Sequence, residues 1–167
     1  MWPFRRAKPQ GPQALLHEGS EALRRRKLDD AVRLLEQASR LEPRNMAACL
    51  NLGTAYHLQG RFSDAIRQFE LALELEPQSM PGLLNLAAAH NALGHVDKAL
   101  EYLERGRLIN PTHRDLHLNL AVAFAKQGRV QEAVEALQIE LRNHPDNQHA
   151  VTMLEQISQR LAESVPE

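Results

Sequence analysis

Aromatic residues are scarce in this chain, at 4% of 167 residues, and cysteine occurs only once, at Cys49. With few rings available, alanine and leucine must fill the interior, which suits helices packed closely through small side chains. A single cysteine excludes an intrachain disulfide and fits a reducing compartment. No apolar run approaches the roughly 18 residues that a membrane span needs. The opening MWPFRRAKPQGPQ carries charge but no apolar core, so it does not read as a secretory signal, and a cytoplasmic location is expected. Net charge is also lacking, at −1, which excludes a chain built wholly to coat nucleic acid, and no nucleic-acid partner is expected. The charge is unevenly spread, however. Residues 1–27 hold seven basic groups against Glu18 and Glu21, a balance of +5, and the remainder therefore carries −6.

What the sequence has is a period. Ala31, Ala65, Ala99 and Ala133 are spaced by 34 residues, and so are Pro43, Pro77, Pro111 and Pro145. Gly60, Gly94 and Gly128 keep the same interval, as do Asn51, Asn85 and Asn119. Four residue types sharing one period mark a repeat array. The most complete unit is 46–79, where Cys49, Leu52, Gly53 and Tyr56 share one helical face. Gly60 is placed to end the first helix of that unit, and Phe69 to fill its interior. Pro77 is placed to stop the second helix.

Leu52, Gly53, Tyr56, Gly60, Ala65, Phe69, Ala72 and Pro77, in that order and spacing, resemble a tetratricopeptide repeat. The resemblance extends over roughly residues 12–165. It implies an all-α, right-handed superhelical solenoid of antiparallel helix pairs, used as a scaffold for holding other proteins. The expected repeats are 12–45, 46–79, 80–113 and 114–147, closed by an amphipathic capping helix at 148–162. A flexible basic tail is expected at 1–11 and a frayed end at 163–167.

Local expectations follow along the chain. Pro12 should begin the first helix, because its missing N–H lies among donors left unpaired at a helix start. Ser63, Asp29 and Asp97 are candidate N-caps of the second helices. Arg24, Arg25, Arg26 and Lys27 occupy a turn where the other repeats use glycine, and form a candidate patch for an anionic partner. Gly106 stands where alanine is expected and implies either local looseness or a tight contact. Glu140 replaces a small residue, which predicts a wetter last interface. His90 reads as a satisfied core histidine.

The first helix of each pair has a second face, which in the resembled family lines the concave side. That face contains Leu16 in the first repeat, and Leu50, Asn51, Thr54 and His57 in the second. In the third it contains Leu84, Asn85, Ala88 and Asn91, and in the fourth Leu118, Asn119 and Val122. Asparagine is a poor residue inside a helix, yet its carboxamide carries both a donor and an acceptor and so matches a peptide group. The three asparagines therefore resemble a ladder that grips the backbone of an extended peptide, with the leucines accepting its apolar side chains. The plain alternative is that each amide bonds a neighbouring helix or faces water. A clamp for acidic chaperone tails does not fit, since Leu16, Leu50, Pro81 and Asp115 stand where lysine is needed.

No enzyme emerges. His113-Arg114-Asp115-Leu116 resembles a kinase catalytic loop, but no Gly-rich phosphate loop accompanies it. His113 and His117 could share a helix face, yet no third metal ligand is fixed nearby, so neither metal nor cofactor is expected. Cys49 has no companion that would make it a nucleophile. The expected partner is another protein or a peptide segment. Self-assembly through a weak first repeat, and membrane contact through Trp2, Phe4 and the basic tail, are the alternatives.

Overall fold

The computed structural model describes residues 11–163, and among them all regular structure is helical. The basic tail expected over 1–11 lies outside the described residues apart from Gly11, as does the C-terminal end beyond Glu163. Two compact units divide between Leu75 and Glu76. The first holds α1 (Pro12–Arg24), α2 (Leu28–Leu41), α3 (Met46–Leu58) and α4 (Phe62–Leu75). The second holds α5 (Met80–Ala92), α6 (Val96–Ile109), α7 (Leu116–Lys126), α8 (Val130–Asn143) and α9 (Gln148–Glu163).

Each helix pair closes through the same turn. The amide of Lys27, Arg61, His95 or Arg129 donates to the carbonyl of Ala22, Tyr56, His90 or Phe124, each bond being 2.9 Å long. This is the Schellman arrangement, which needs one left-handed residue just past the helix end. Gly60, Gly94 and Gly128 supply it at φ of 77°, 78° and 73°, at no steric cost. In the first repeat Arg26 occupies the equivalent place at φ 59°, so the basic turn carries backbone strain that the other three avoid.

The small residues set how closely paired helices approach. Fully buried Leu35 and Phe69 sit against Gly19 and Gly53. A β-carbon at Gly19 would lie 2.7 Å from Leu35 Cγ, and one at Gly53 would lie 2.7 Å from Phe69 Cδ1. In the third and fourth repeats the equivalent positions are Ala87 and Ala121, and the facing positions hold Leu103 and Leu137, all fully buried. Glycine thus accompanies the first two repeats and alanine the last two.

Gly106 is neither loose nor tightly pressed. It is buried, but a β-carbon there would sit 3.5 Å from both Leu116 Cδ1 and Met80 Cε, which is ordinary contact. Because glycine inside a helix costs about 1 kcal/mol relative to alanine, Gly106→Ala is expected to stabilise the chain by about that amount. Thermal melting of the variant checks this; a lower melting temperature would show that the neighbours cannot admit the methyl group.

Several sequence expectations are corrected. Asp29, Ser63 and Asp97 do not cap their helices, because α2, α4 and α6 begin at Leu28, Phe62 and Val96, which puts these residues inside the first turn rather than before it. The carbonyls of Lys27, Arg61 and His95 already accept the first intrahelical bonds. Asp29 and Asp97 instead accept 2.8 Å bonds from Gln59 and Gln127, each tying one repeat to the next within its unit. Side-chain caps do occur, at Asn45, Ser79 and Asn147, which accept from Ala48, Gly82 and Ala150.

His113 breaks that series, and the consequences run through the last repeat. α7 starts only at Leu116, and its N-cap residue Asp115 is left-handed at φ 66°, with no cap bond from its own side chain. Glu140 supplies the missing acceptor from α8. Its carboxylate takes the Asp115 amide at 2.8 Å and the His117 amide at 3.2 Å. Asn147 Nδ2 donates to Glu140 Oε1 and to Asp115 Oδ1, both at 2.8 Å. Glu140 is fully buried, so this interface is not the wetter one its charge suggested. A helix N-terminus stabilises a carboxylate through exposed N–H groups and the helix dipole, which makes dry burial possible.

His90 is corrected as well. It is a core residue at 4% exposure, but its Nδ1 is buried with no hydrogen-bond partner.

Candidate protein-interaction face

Each unit carries its own part of the expected face. In the first, α1 and α3 are in contact, and Leu16, Leu50, Asn51, Thr54 and His57 are all half-buried. Asn51 Nδ2 donates to Ser20 Oγ at 2.8 Å, and the Ser20 hydroxyl in turn donates to the Leu16 carbonyl at 2.7 Å. The Asn51 amide therefore links two first helices, using one of its two N–H groups. Thr54 returns its hydroxyl to the Leu50 carbonyl at 2.8 Å. His57 packs edge-on against Phe62, 5.1 Å between centroids, and its Nδ1 is buried without a partner. Burial lowers its pKa.

In the second unit α5 and α7 are in contact. Leu84 and Asn91 are buried, whereas Asn85, Ala88, Leu118, Asn119 and Val122 are half-buried. Asn119 Nδ2 donates to the Asp115 carbonyl of its own helix at 2.8 Å. The Asn85 carboxamide makes no hydrogen bond among the described residues. Asn91 is 3% exposed, and both polar atoms of its carboxamide are buried without a partner. Lys126 Nζ reaches from α7 to the Asn91 carbonyl.

The three periodic asparagines are thus chemically unequal. Asn51 docks one helix on another, Asn119 turns back on its own backbone, and Asn85 is left open. Sequence reasoning missed two residues of this face. Ser20 stands 34 residues before Thr54, so the period itself carried that signal. Lys126 stands 34 residues after Ala92, and nothing in the repeat announced a lysine there.

The basic turn behaves less like a uniform patch than its sequence suggested. Arg24, Arg25, Arg26 and Lys27 are exposed, but Arg24 pairs with Glu21, and Arg25 lies 3.8 Å from the same carboxylate. A shallow depression of about 350 Å³ beside the turn is lined by Glu18, Glu21 and Asp30 as well as Arg25, Lys27 and Arg33.

Among the described residues no three metal-binding side chains come together. His113 Nδ1 lies 2.8 Å from the Arg114 carbonyl, and His117 is buried against the repeat interface. Cys49 is fully buried, and burial pushes its thiol pKa up, which makes it a poor nucleophile. No described helix is long and apolar enough to cross a membrane.

The tetratricopeptide repeat model matches residues 16–79 and 84–148. The chain belongs to the tetratricopeptide repeat family. That membership makes it, in general terms, a protein-interaction scaffold. Solved structures share its fold. One is MamA 41-end from Desulfovibrio magneticus RS-1, at 20% identity and TM-score 0.76, covering 93% of this chain and 88% of that one. Another is a MamA RS-1 double mutant, at 20% identity and TM-score 0.75, covering 92% of this chain and 86% of that one. A third, from the APC/C hetero-tetramer Cut9-Hcn1, has 20% identity and TM-score 0.78 over 89% of this chain. This tetratricopeptide chain spans only 30% of that third structure. At such identities the likeness concerns the fold alone. No curated protein matches the chain in sequence.

Proposed function

We propose that the chain is a non-catalytic scaffold whose first-helix faces hold a segment of another protein. The observation that carries this reading is Asn85. Its half-exposed carboxamide sits mid-helix, where asparagine is intrinsically unfavourable, and it bonds to nothing in the chain among the described residues. Donor and acceptor are both available to a partner's peptide group. Ala88 on the same helix, and Leu118 and Val122 on α7, add apolar surface for the partner's side chains. On α7, Asn119 contributes the atoms that its internal bond leaves over. The same proposal has the chain act in the cytoplasm, where the single buried thiol of Cys49 would stay reduced.

The test is to isolate a binding partner by affinity capture and measure its affinity for single asparagine variants. Asn85→Ala is expected to weaken binding by up to about tenfold, the value of one good hydrogen bond, with stability unchanged. Asn51→Ala is expected to cost about 1 kcal/mol of stability as well, because it breaks a bond between helices. A folded triple alanine variant that binds with native affinity would reject the proposal.

A further inference from the structure

The turn between α5 and α6 differs chemically from its equivalents. In the second repeat the Arg61 guanidinium lies over the Tyr56 ring, 4.2 Å from its centroid. In the fourth, Arg129 lies over Phe124 at 4.4 Å. A permanent cation over a ring face is attractive at any physiological pH, so each turn is clasped by a pair that does not titrate there. The third repeat places histidine at both positions. His95 meets His90 at 5.7 Å between centroids, tilted by 44°. On its other side His90 stacks on Tyr102 at 5.7 Å, within 7° of parallel.

We propose that His90, packed between His95 and Tyr102, is an acid-sensitive latch, which holds the α5–α6 turn closed while its ring is neutral and opens it when that ring is protonated. The geometry supplies the reason. A proton on His90 would place a cation at a site 96% removed from solvent, where its Nδ1 has no acceptor. The surrounding charges do not relieve this. On α6, Lys98 opposes a positive His90 and Glu101 alone favours it. Arg105 lies over the far partner of the stack, Tyr102, and Lys126 of α7 rests on the carbonyl of the adjacent Asn91.

The sign follows from these contacts. Burial first, then Lys98 and His95, lower the His90 pKa below its ordinary value of about 6.5. The folded chain therefore prefers the neutral ring more strongly than the unfolded chain does. The associated stability is present above the unfolded-state pKa and is lost as pH falls from there through the lowered one. His57 and His117 are lowered in the same sense, but the fourth-repeat turn contains no histidine and serves as an internal reference.

Amide hydrogen exchange of the full chain at pH 7.5 and pH 5.0, corrected for the intrinsic pH dependence of exchange, tests the latch. Protection of the amides of Gly94, His95 and Ala99 is expected to fall at least tenfold on acidification. The equivalent amides of Gly128, Arg129 and Ala133 should change by less than threefold. The His90→Phe/His95→Arg variant, which copies the fourth repeat, should abolish the difference. Equal responses of the two turns, or an undiminished response in the variant, would overturn the proposal. Should the variant not fold, the comparison within the native chain still decides. Since α5 also carries Asn85, acid would slacken the proposed binding face as well, a consequence that rests on the functional reading whereas the exchange test does not.

Discussion

Glu140→Ala is expected to cost more stability than any other substitution of a charged residue among those described. The carboxylate is fully buried and accepts from two backbone amides and from the Asn147 carboxamide. Removing it strands those donors in a dry interface, and each unsatisfied buried donor costs about 1–3 kcal/mol. A loss of at least about 3 kcal/mol is therefore expected on chemical denaturation. The damage should be local at first, with exchange protection falling at the start of α7 and the start of α9. Glu140→Gln keeps the shape and one acceptor oxygen but turns an NH₂ group toward donors, so it should lie between alanine and the native residue. A loss below about 1 kcal/mol for alanine would mean that water replaces the carboxylate and that α7 needs no cap from α8.

The second large effect concerns Gly53 and Phe69. A β-carbon at Gly53 would press on a ring that is itself fully buried. Overpacking a well-filled core costs about 1–3 kcal/mol, which exceeds the gain of about 1 kcal/mol from alanine's better helix propensity. Gly53→Ala should therefore destabilise the first unit. The later repeats suggest the remedy, since Ala87 and Ala121 each go with a leucine at the facing position, Leu103 and Leu137. Gly53→Ala combined with Phe69→Leu should recover stability beyond the sum of the single changes, with a coupling of about 1 kcal/mol or more in a double-mutant cycle. Strict additivity would show that the two positions do not share one packing volume.

Much of this architecture was legible because the 34-residue period repeats the same physical problem. Gly60, Gly94 and Gly128 announce left-handed turns, and Ala65, Ala99 and Ala133 announce close helix crossings. The period fails where one repeat departs from it twice and the departures compensate each other. His113 cannot cap as Asn45, Ser79 and Asn147 do, and Glu140 stands where Ala38, Ala72 and Gly106 stand elsewhere. Taken singly, Glu140 reads as a polar intrusion into an interface; taken together with His113, it is the replacement cap. The candidate face was less legible for a related reason. Identical spacing gave Asn51, Asn85 and Asn119 one expected role, but their neighbours differ. Ser20 captures the first, and the Asp115 carbonyl, which already takes the Asn119 backbone amide, takes the carboxamide of the third as well. Only Asn85 keeps the freedom that the pattern suggested for all three.

Partner contact with the first-helix faces can be read from leucine methyl spectra, which report it without altering the surface. Leu16, Leu50 and Leu118 lie on those faces, half-buried, while Leu41 and Leu108 are exposed elsewhere at 57% and 81%. On titration with a captured partner, the methyl signals of Leu16, Leu50 and Leu118 are expected to shift while those of Leu41 and Leu108 stay in place. Shifts confined to Leu41 and Leu108, with the first set unmoved, would contradict that contact.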